Sequence, residues 1–323
     1  MTPADLSRTV LRAVRHAVAE GELSVPVPER IVVERPRPGG SGDYATNVAL
    51  QLAGPAGSTP REVARLLTAA LVREPGIAAV EITGPGFLSI TLEGDQQVSL
   101  VRDVLSRGES YGHTESLASE RIELRIPDET RARLVAEAVA RIAATQGATT
   151  EITHAEPANL RPVPADIEGL GPDATRWALL HPAPHDHPRL TKDHLVQRET
   201  NPLFRVRYAH ARTRALGRNA ADLGFAATPG DVGDVQEAAN LLAALADHPR
   251  VLEAAARHRA PDRLARHLVA TADAFLAFQG AVLPLGDEKP EAAHRARLAL
   301  AEAAGTVLAG GLSLLGITAP DYL

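Results

Sequence analysis

The chain has 323 residues, a formal net charge of −6, 45% hydrophobic and 3% aromatic residues, and no cysteine. Disulfide and thiolate chemistry are therefore excluded, the charge argues against a nonspecific nucleic-acid coat, and no apolar run reaches the roughly 18 residues of a membrane span. The length predicts two or three domains, and the Ala-, Leu- and Arg-rich composition predicts a largely helical cytoplasmic protein.

Residues 3–20 have Leu6, Val10, Leu11, Val14 and Val18 on one helical face, with Thr2 as a cap and Pro3 at the first helical position. Residues 30–35 (RIVVER) suit a strand, PRPGGSGD (36–43) a loop, and 44–53 a helix. Thr59, Pro60 and Glu62 form the pattern of a capping box opening a helix that Pro75-Gly76 ends. Residues 78–83 and 86–92 alternate as a strand pair, and a helix follows over about 95–107. Together these make an α+β domain over 1–112.

RIELRIPDETRARL (121–134) opens a strand–helix–strand unit over 121–126, 130–146 and 149–153. A proline-rich irregular linker follows. Helices are expected at 173–180, 191–222 with a break at Asn201-Pro202, 233–246, 248–258, 261–279 and 290–315. Short connections between them predict an antiparallel all-α bundle over 170–323. Two strands and one helix cannot bury both faces of a parallel sheet, so 121–154 must dock on its neighbours or offer an edge to another chain.

SGDYATNVALQLA (41–53), GPGFLSITL (84–92), LGPDATRWALL (170–180), NPLFRVRYAHAR (201–212) and RLALAEAAGTVLAGGLSLLGITAPDYL (297–323) occur in the order found in arginyl-tRNA synthetases, which the chain resembles over roughly 1–110 and 170–323. The resemblance implies an N-terminal domain touching the tRNA elbow and a DALR-type anticodon-binding bundle. Between them, 113–169 resembles a reduced remnant of the Rossmann-like α/β catalytic domain. Class I synthetases need a His-x-Gly-His element and a Lys-Met-Ser-Lys-type loop for ATP chemistry. The sequence has no His-x-Gly-His, and its lysines are Lys192 and Lys289. Pro127-Asp128-Glu129 stands where the family places its histidines, and its two carboxylates would repel triphosphate. The expectation is a noncatalytic tRNA-binding protein with no cofactor.

On the elbow side the resemblance singles out Phe87 and Ser89, with Asn47 of the GDYATN element. An aromatic ring stacked on an extruded base contributes roughly 1–3 kcal/mol. The plain alternatives are a core strand residue for Phe87 and turn or helix capping for Asp43, Tyr44 and Asn47. Arg205, Arg207, Arg212, Arg214 and Arg218 occupy a stretch without acids, which suits phosphates, and an ordinary solvated face is the alternative. Relatives place Tyr208 and the C-terminal tail, with Tyr322, near the anticodon; His210 reads equally as a packed helix histidine. HPAPHDHPRLTKDH (181–194) has four histidines at spacings a metal could use, but no metal is expected. The expected partners are tRNA, an arginine tRNA among the candidates, and a second copy or a separate enzyme through 121–154, with no membrane. The rival readings are a protein-interaction or regulatory module that has lost tRNA binding and, third, a residual arginine–tRNA ligase.

Overall fold

A computed structural model describes residues 3–34, 36, 41–92, 96–154, 160–163 and 169–323. The chain divides into two compact units, 1–100 and 101–323. The proposed Thr2 cap and parts of the 36–43 loop and of the linker lie outside the described residues.

The first unit is a three-stranded antiparallel sheet packed with helices. Helix α1 (Pro3–Ala19) buries Leu6, Val10, Ala13, Val14 and Ala17, the stripe its periodicity predicts. Strands β1 (Tyr44–Thr46), β2 (Ile77–Thr83) and β3 (Phe87–Leu92) lie in the order β1-β3-β2. Leu88 and Ile90 of the central strand enter one core with residues of α1, α2 (Val48–Ala56) and α3 (Pro60–Leu71). The capping box is formed: Thr59 Oγ1 accepts from Glu62 N, and Glu62 Oε2 accepts from Thr59 N at 2.8 Å. These bonds hold the Glu62 carboxyl below its ordinary range.

Two expectations change here. Among the described residues of the expected 30–35 strand, 30–34, there is no strand; Glu34 alone bridges to Ala45, although Ile31 and Val33 are buried. Hydroxyls replace the missing ladder, Ser7 donating to the Ile31 carbonyl and Thr46 to that of Val32. Residues 44–53 are a short strand and then a helix. Asp43 imposes this: its N–H donates to the Ile90 carbonyl, and its carboxylate accepts from Leu92 N at 2.8 Å, tying the following residues to β3.

In the second unit, the end of α4 (Gln96–Arg107) leads through a 3-10 turn at 108–110 toward β4 (Arg121–Ile126), α5 (Thr130–Ala144) and β5 (Thr149–His154). The two strands are parallel, with Arg121 opposite Thr149 and Ile126 opposite His154. Ile122, Leu124 and Ile126 point inward; Arg121, Glu123 and Arg125 point outward, where Arg121 pairs with Glu151 and Arg125 with Glu123. Helix α5 lies between this sheet and the helices α6 (Gly171–Leu180), α8 (Gln236–Arg257), α9 (Pro261–Phe278) and α10 (Ala292–Leu314). It buries Ala132, Ala136, Ala138, Val139, Ile142 and Ala143. Docking on the helices thus covers the apolar residues of β4, whereas Ile152 of β5, opposite Leu124, stays 45% exposed, and the outer face is charged and solvated.

Helix α7 (Pro202–Asp222) and the helices above form the bundle. The expected helix at 191–201 is only a 3-10 turn at Lys192–Leu195. Asn201 starts α7 rather than breaking a longer helix: its Oδ1 accepts from Leu203 N, and its Nδ2 donates to the His194 and Val196 carbonyls. The two helices expected at 233–258 are one, running through the buried Pro249. Glycines set two close helix contacts. A Cβ on Gly305 would stand 2.4 Å from Thr213 Oγ1, and one on Gly311 2.4 Å from Leu268 Cδ2, so α10 approaches α7 and α9 where side chains would forbid it. No described helix is long and apolar enough to cross a membrane.

Candidate nucleic-acid interface

Phe87 is the first residue of β3, opposite Thr83, and is 41% exposed. The core-residue alternative fails because Leu88 and Ile90 take the inward positions of the strand. Ser89 faces the same way as Phe87, but it sits mid-sheet between Ala45 and Glu81 and is 4% exposed. Its hydroxyl is 3.3 Å from that of Thr83. On the central strand this short side chain is buried and partnered within the sheet, unlike the exposed Phe87 ring. Asn47 is exposed at the N-cap position of α2 but makes no cap bond; its Oδ1 accepts from Gln51 Nε2 at 3.1 Å. Tyr44 is buried.

The arginines of α7 do not line one groove. At 3.6 residues per turn, Arg205, Tyr208 and Arg212 share one face, while Arg207, His210, Arg214 and Arg218 share the opposite one. Nor are they without acids, because the acids come from distant segments. Arg205 lies 3.3 Å from Asp273 of α9, Arg207 3.9 Å from Asp173 of α6, and Arg214 3.1 Å from Asp321 of the tail. Arg212 Nε donates to Gln279 Oε1 at 2.9 Å. Arg205 and Arg207 are thus largely turned to bundle packing, and Arg214 and Arg218 keep the larger exposure.

Tyr208 is exposed and stacks on Phe204, with centroids 5.5 Å apart and planes inclined by 21°. His210 is the packed helix histidine: burial lowers its pKa, against the opposing pull of the Pro320 carbonyl 2.9 Å from Nδ1. That contact anchors the tail along α7. Arg218 donates to the Asp321 carbonyl and lies 4.2 Å over the Tyr322 ring, whose residue is 72% exposed. Between α7, α10 and the tail runs an open groove of about 1170 Å³, lined by His210, Arg214, Gly217, Arg218, Glu302 and Tyr322 among others. Sequence reasoning missed Glu302. Its signal was available: it is the single carboxylate in an otherwise small and apolar run, LALAEAAG.

A second arrangement closes the start of α5. Glu129 caps the helix, its carboxylate accepting from Arg131 N and Ala132 N and from Val163 N of the linker. The Arg131 side chain is fully buried, and its guanidinium donates to the carbonyls of Arg161, Leu179, Pro182, Ala183, Pro184 and Asp186. Of the histidines at 181–194, His181 stacks on Trp177, and His194 Nε2 is 2.7 Å from the Arg189 carbonyl. No group of three metal-ligating side chains converges among the described residues.

The model of the arginyl tRNA synthetase N terminal domain matches residues 6–92, and that of the DALR anticodon binding domain matches residues 206–323. An arginine–tRNA ligase of Frankia alni is 46% identical over 155 residues, covering 48% of this chain and 28% of that protein. One from Renibacterium salmoninarum is 40% identical over 162 residues, covering 46% and 30%. The matched stretches thus span about three-tenths of these relatives' lengths. Among solved structures, Thermus thermophilus arginyl-tRNA synthetase superposes with a TM-score of 0.65 at 14% identity, covering 100% of both chains. The Plasmodium falciparum enzyme gives 0.65 at 9% identity, covering 99% of both. Two family domains, in family order and on the family fold, make this chain a relative of the arginyl-tRNA synthetases, with their N-terminal domain and a DALR anticodon-binding domain.

Proposed function

We propose that the protein is a noncatalytic tRNA-binding relative of arginyl-tRNA synthetase, gripping tRNA through Phe87 on one unit and through α7 and the tail on the other. The observation that carries the noncatalytic part is the start of α5. A helix N-terminus binds phosphate when its N–H groups are free. Here the Glu129 carboxylate takes two of them and Arg131 ties the surrounding segments over the same end. The sequence also lacks a His-x-Gly-His element, the imidazole pair that would stabilise the charge developing when ATP reacts, which supports the same reading. The RNA-binding part is supported by the two matched domains and by exposed Phe87, Tyr208, Tyr322, Arg214 and Arg218. Arginine tRNA is the candidate cargo.

The test pairs two assays on the full chain. Arginine-dependent ATP–pyrophosphate exchange, with and without tRNA, is expected to stay at background; turnover would overturn the noncatalytic reading. Filter binding of arginine tRNA at 50 and 200 mM salt is expected to show affinity falling at least about tenfold, because arginine–phosphate contacts release counterions. No binding at low salt would instead favour a protein-interaction module. Phe87→Ala and Tyr208→Ala are each expected to weaken binding about tenfold, the scale of one lost base stack.

A further inference from the structure

Among the described residues, strand β5 pairs with β4 on one side and with no strand on the other. Ile152, opposite Leu124 on the inward face, is 45% exposed, whereas Ile122, Leu124 and Ile126 of β4 are 5%, 7% and 8% exposed. Helix α8 also reaches the start of β4, where Arg257 lies 3.3 Å from Glu120. The docked helices therefore cover β4 and leave the β5 side open. Free sheet edges are usually blunted by a proline, a lysine or a bulge. β5 has none of these, its register with β4 is unbroken, and Thr149, Thr150, Ile152 and Thr153 are all β-branched. The Thr149 N–H donates to the Glu120 carbonyl on the β4 side. Backbone groups alternate along a strand, so the N–H and C=O groups of Thr150, Ile152 and His154 face outward, where a further strand would take them.

The edge is self-complementary in one register. Two copies pairing antiparallel are related by a two-fold axis normal to the sheet, which sets one residue opposite itself. Gly147, with φ of 82°, and Ala148, whose N–H donates to the Ala143 carbonyl, turn the chain out of α5, so pairing starts no earlier than Thr149. The strand ends at His154, so the centres that engage the most of it are Glu151 and Ile152. The outer face separates these two. Glu151 stands beside Glu123, and Thr153 beside Arg125, across the β4–β5 pair. A centre at Glu151 would line up four carboxylates across the sheet, and like charges directly opposite destabilise pairing. A centre at Ile152 sets Glu151 against Thr153 of the second copy. Each outer row then runs Glu123, Glu151, Thr153, Arg125, with a hydroxyl to donate to the carboxylate and a guanidinium on the far side of it. On the inner face the two Ile152 side chains cover each other.

We propose that the outer edge of β5 binds a second copy of this chain, antiparallel about a two-fold axis at Ile152, to give a four-stranded sheet in the order β4-β5-β5-β4. This association is separate from the RNA-binding reading above and does not depend on it.

Sedimentation equilibrium of the full chain tests it between roughly 1 and 200 μM, since a strand-pair interface is small and its affinity modest. The mass is expected to rise from one chain to two. Ile152→Lys and Ile152→Glu each set like charges against each other at the centre and should weaken association at least about tenfold. Mixed in equal amounts they should regain it, because lysine then opposes glutamate; a position away from the axis would not give this rescue. Both variants should keep the parent's melting temperature, because Ile152 is already 45% exposed. If either fails to fold, Ile152→Cys keeps the test: the natural chain has no cysteine, and residues paired across strands lie within disulfide reach, so mild oxidation should give a covalent dimer. A single-chain mass over the whole range overturns the proposal. So does a dimer that persists unchanged in both charged variants, a mixture of folded variants no better associated than either alone, or an Ile152→Cys chain that stays uncrosslinked.

Discussion

Replacing Arg131 by methionine is expected to destabilise the second unit by on the order of 3 kcal/mol, the scale of leaving backbone carbonyls without their charged donor. The side chain is fully buried, and its five N–H groups serve six carbonyls from three segments. Methionine matches the stem in length but leaves those carbonyls without their donor. Each orphaned carbonyl costs about 1–3 kcal/mol unless the segments open to solvent. Opening is the available response, so 161–163 and 182–186 should become exchange-labile together. Burial already lowers the Arg131 pKa, with Glu129 and Asp186 pulling it back, yet an arginine stays charged throughout the accessible range. Arg131→Lys should recover only part of the loss, because an ammonium has three donors and no planar fork. Urea unfolding of the full chain measures both variants. A methionine variant within 1 kcal/mol of the parent would show that the carbonyls find other partners and that the closure of α5 does not depend on this residue.

The position of Arg131 also shows where reading the sequence stops. Strand β4, helix α5 and strand β5 were legible because each carries its own period and its own turn signals, as was the Thr59–Glu62 capping box, whose partners are three residues apart. The carbonyls that hold Arg131 lie 30 to 55 residues away, and nothing local announces them. Glu129 was read as a charge repelling phosphate, whereas its local job is to cap a helix. The arginines of α7 failed for a related reason. Their spacing could be counted, but the acids that meet them are on α6, α9 and the tail. A count of charges within one helix cannot foresee partners that only packing supplies. The helix through Pro249 is a further case: proline argues for a boundary, and burial of Pro249 with Leu245 and Leu252 overrides it.

Acid is expected to unfold the second unit through two buried histidines well before most carboxylates titrate. His248 and His267 stack with centroids 5.3 Å apart, and Tyr111 stacks on the other face of His248 at 5.9 Å. Neither His248 Nδ1 nor His267 Nε2 has a hydrogen-bond partner. Burial pushes the His267 pKa down to about 4, with Asp247 opposing and Arg250 reinforcing the shift. Burial pushes His248 well below 6.5, and the neighbouring His267 and His113 push it further. Both rings are therefore neutral in the folded chain, while the unfolded chain takes up their protons near pH 6.5. Stability is fully present above that pH and falls as pH drops toward 4, because the unfolded state binds more protons. For His267 alone the fall is on the order of 3 kcal/mol over the whole window, at about 1.4 kcal/mol per pH unit. His113, His181 and His210 are shifted down by burial as well and add in the same direction. The raised Glu302 carboxyl acts in the opposite sense, at the acid end of the window. Urea midpoints from pH 7.5 to 5.0 should therefore decline steadily. His267→Phe, which keeps a ring in the stack and removes the orphaned nitrogen, should decline less steeply by about one proton. Equal midpoints at pH 7 and pH 5 in the unaltered chain would mean that the buried rings find protons or partners when folded, and that the stack is not the acid-labile part of the unit.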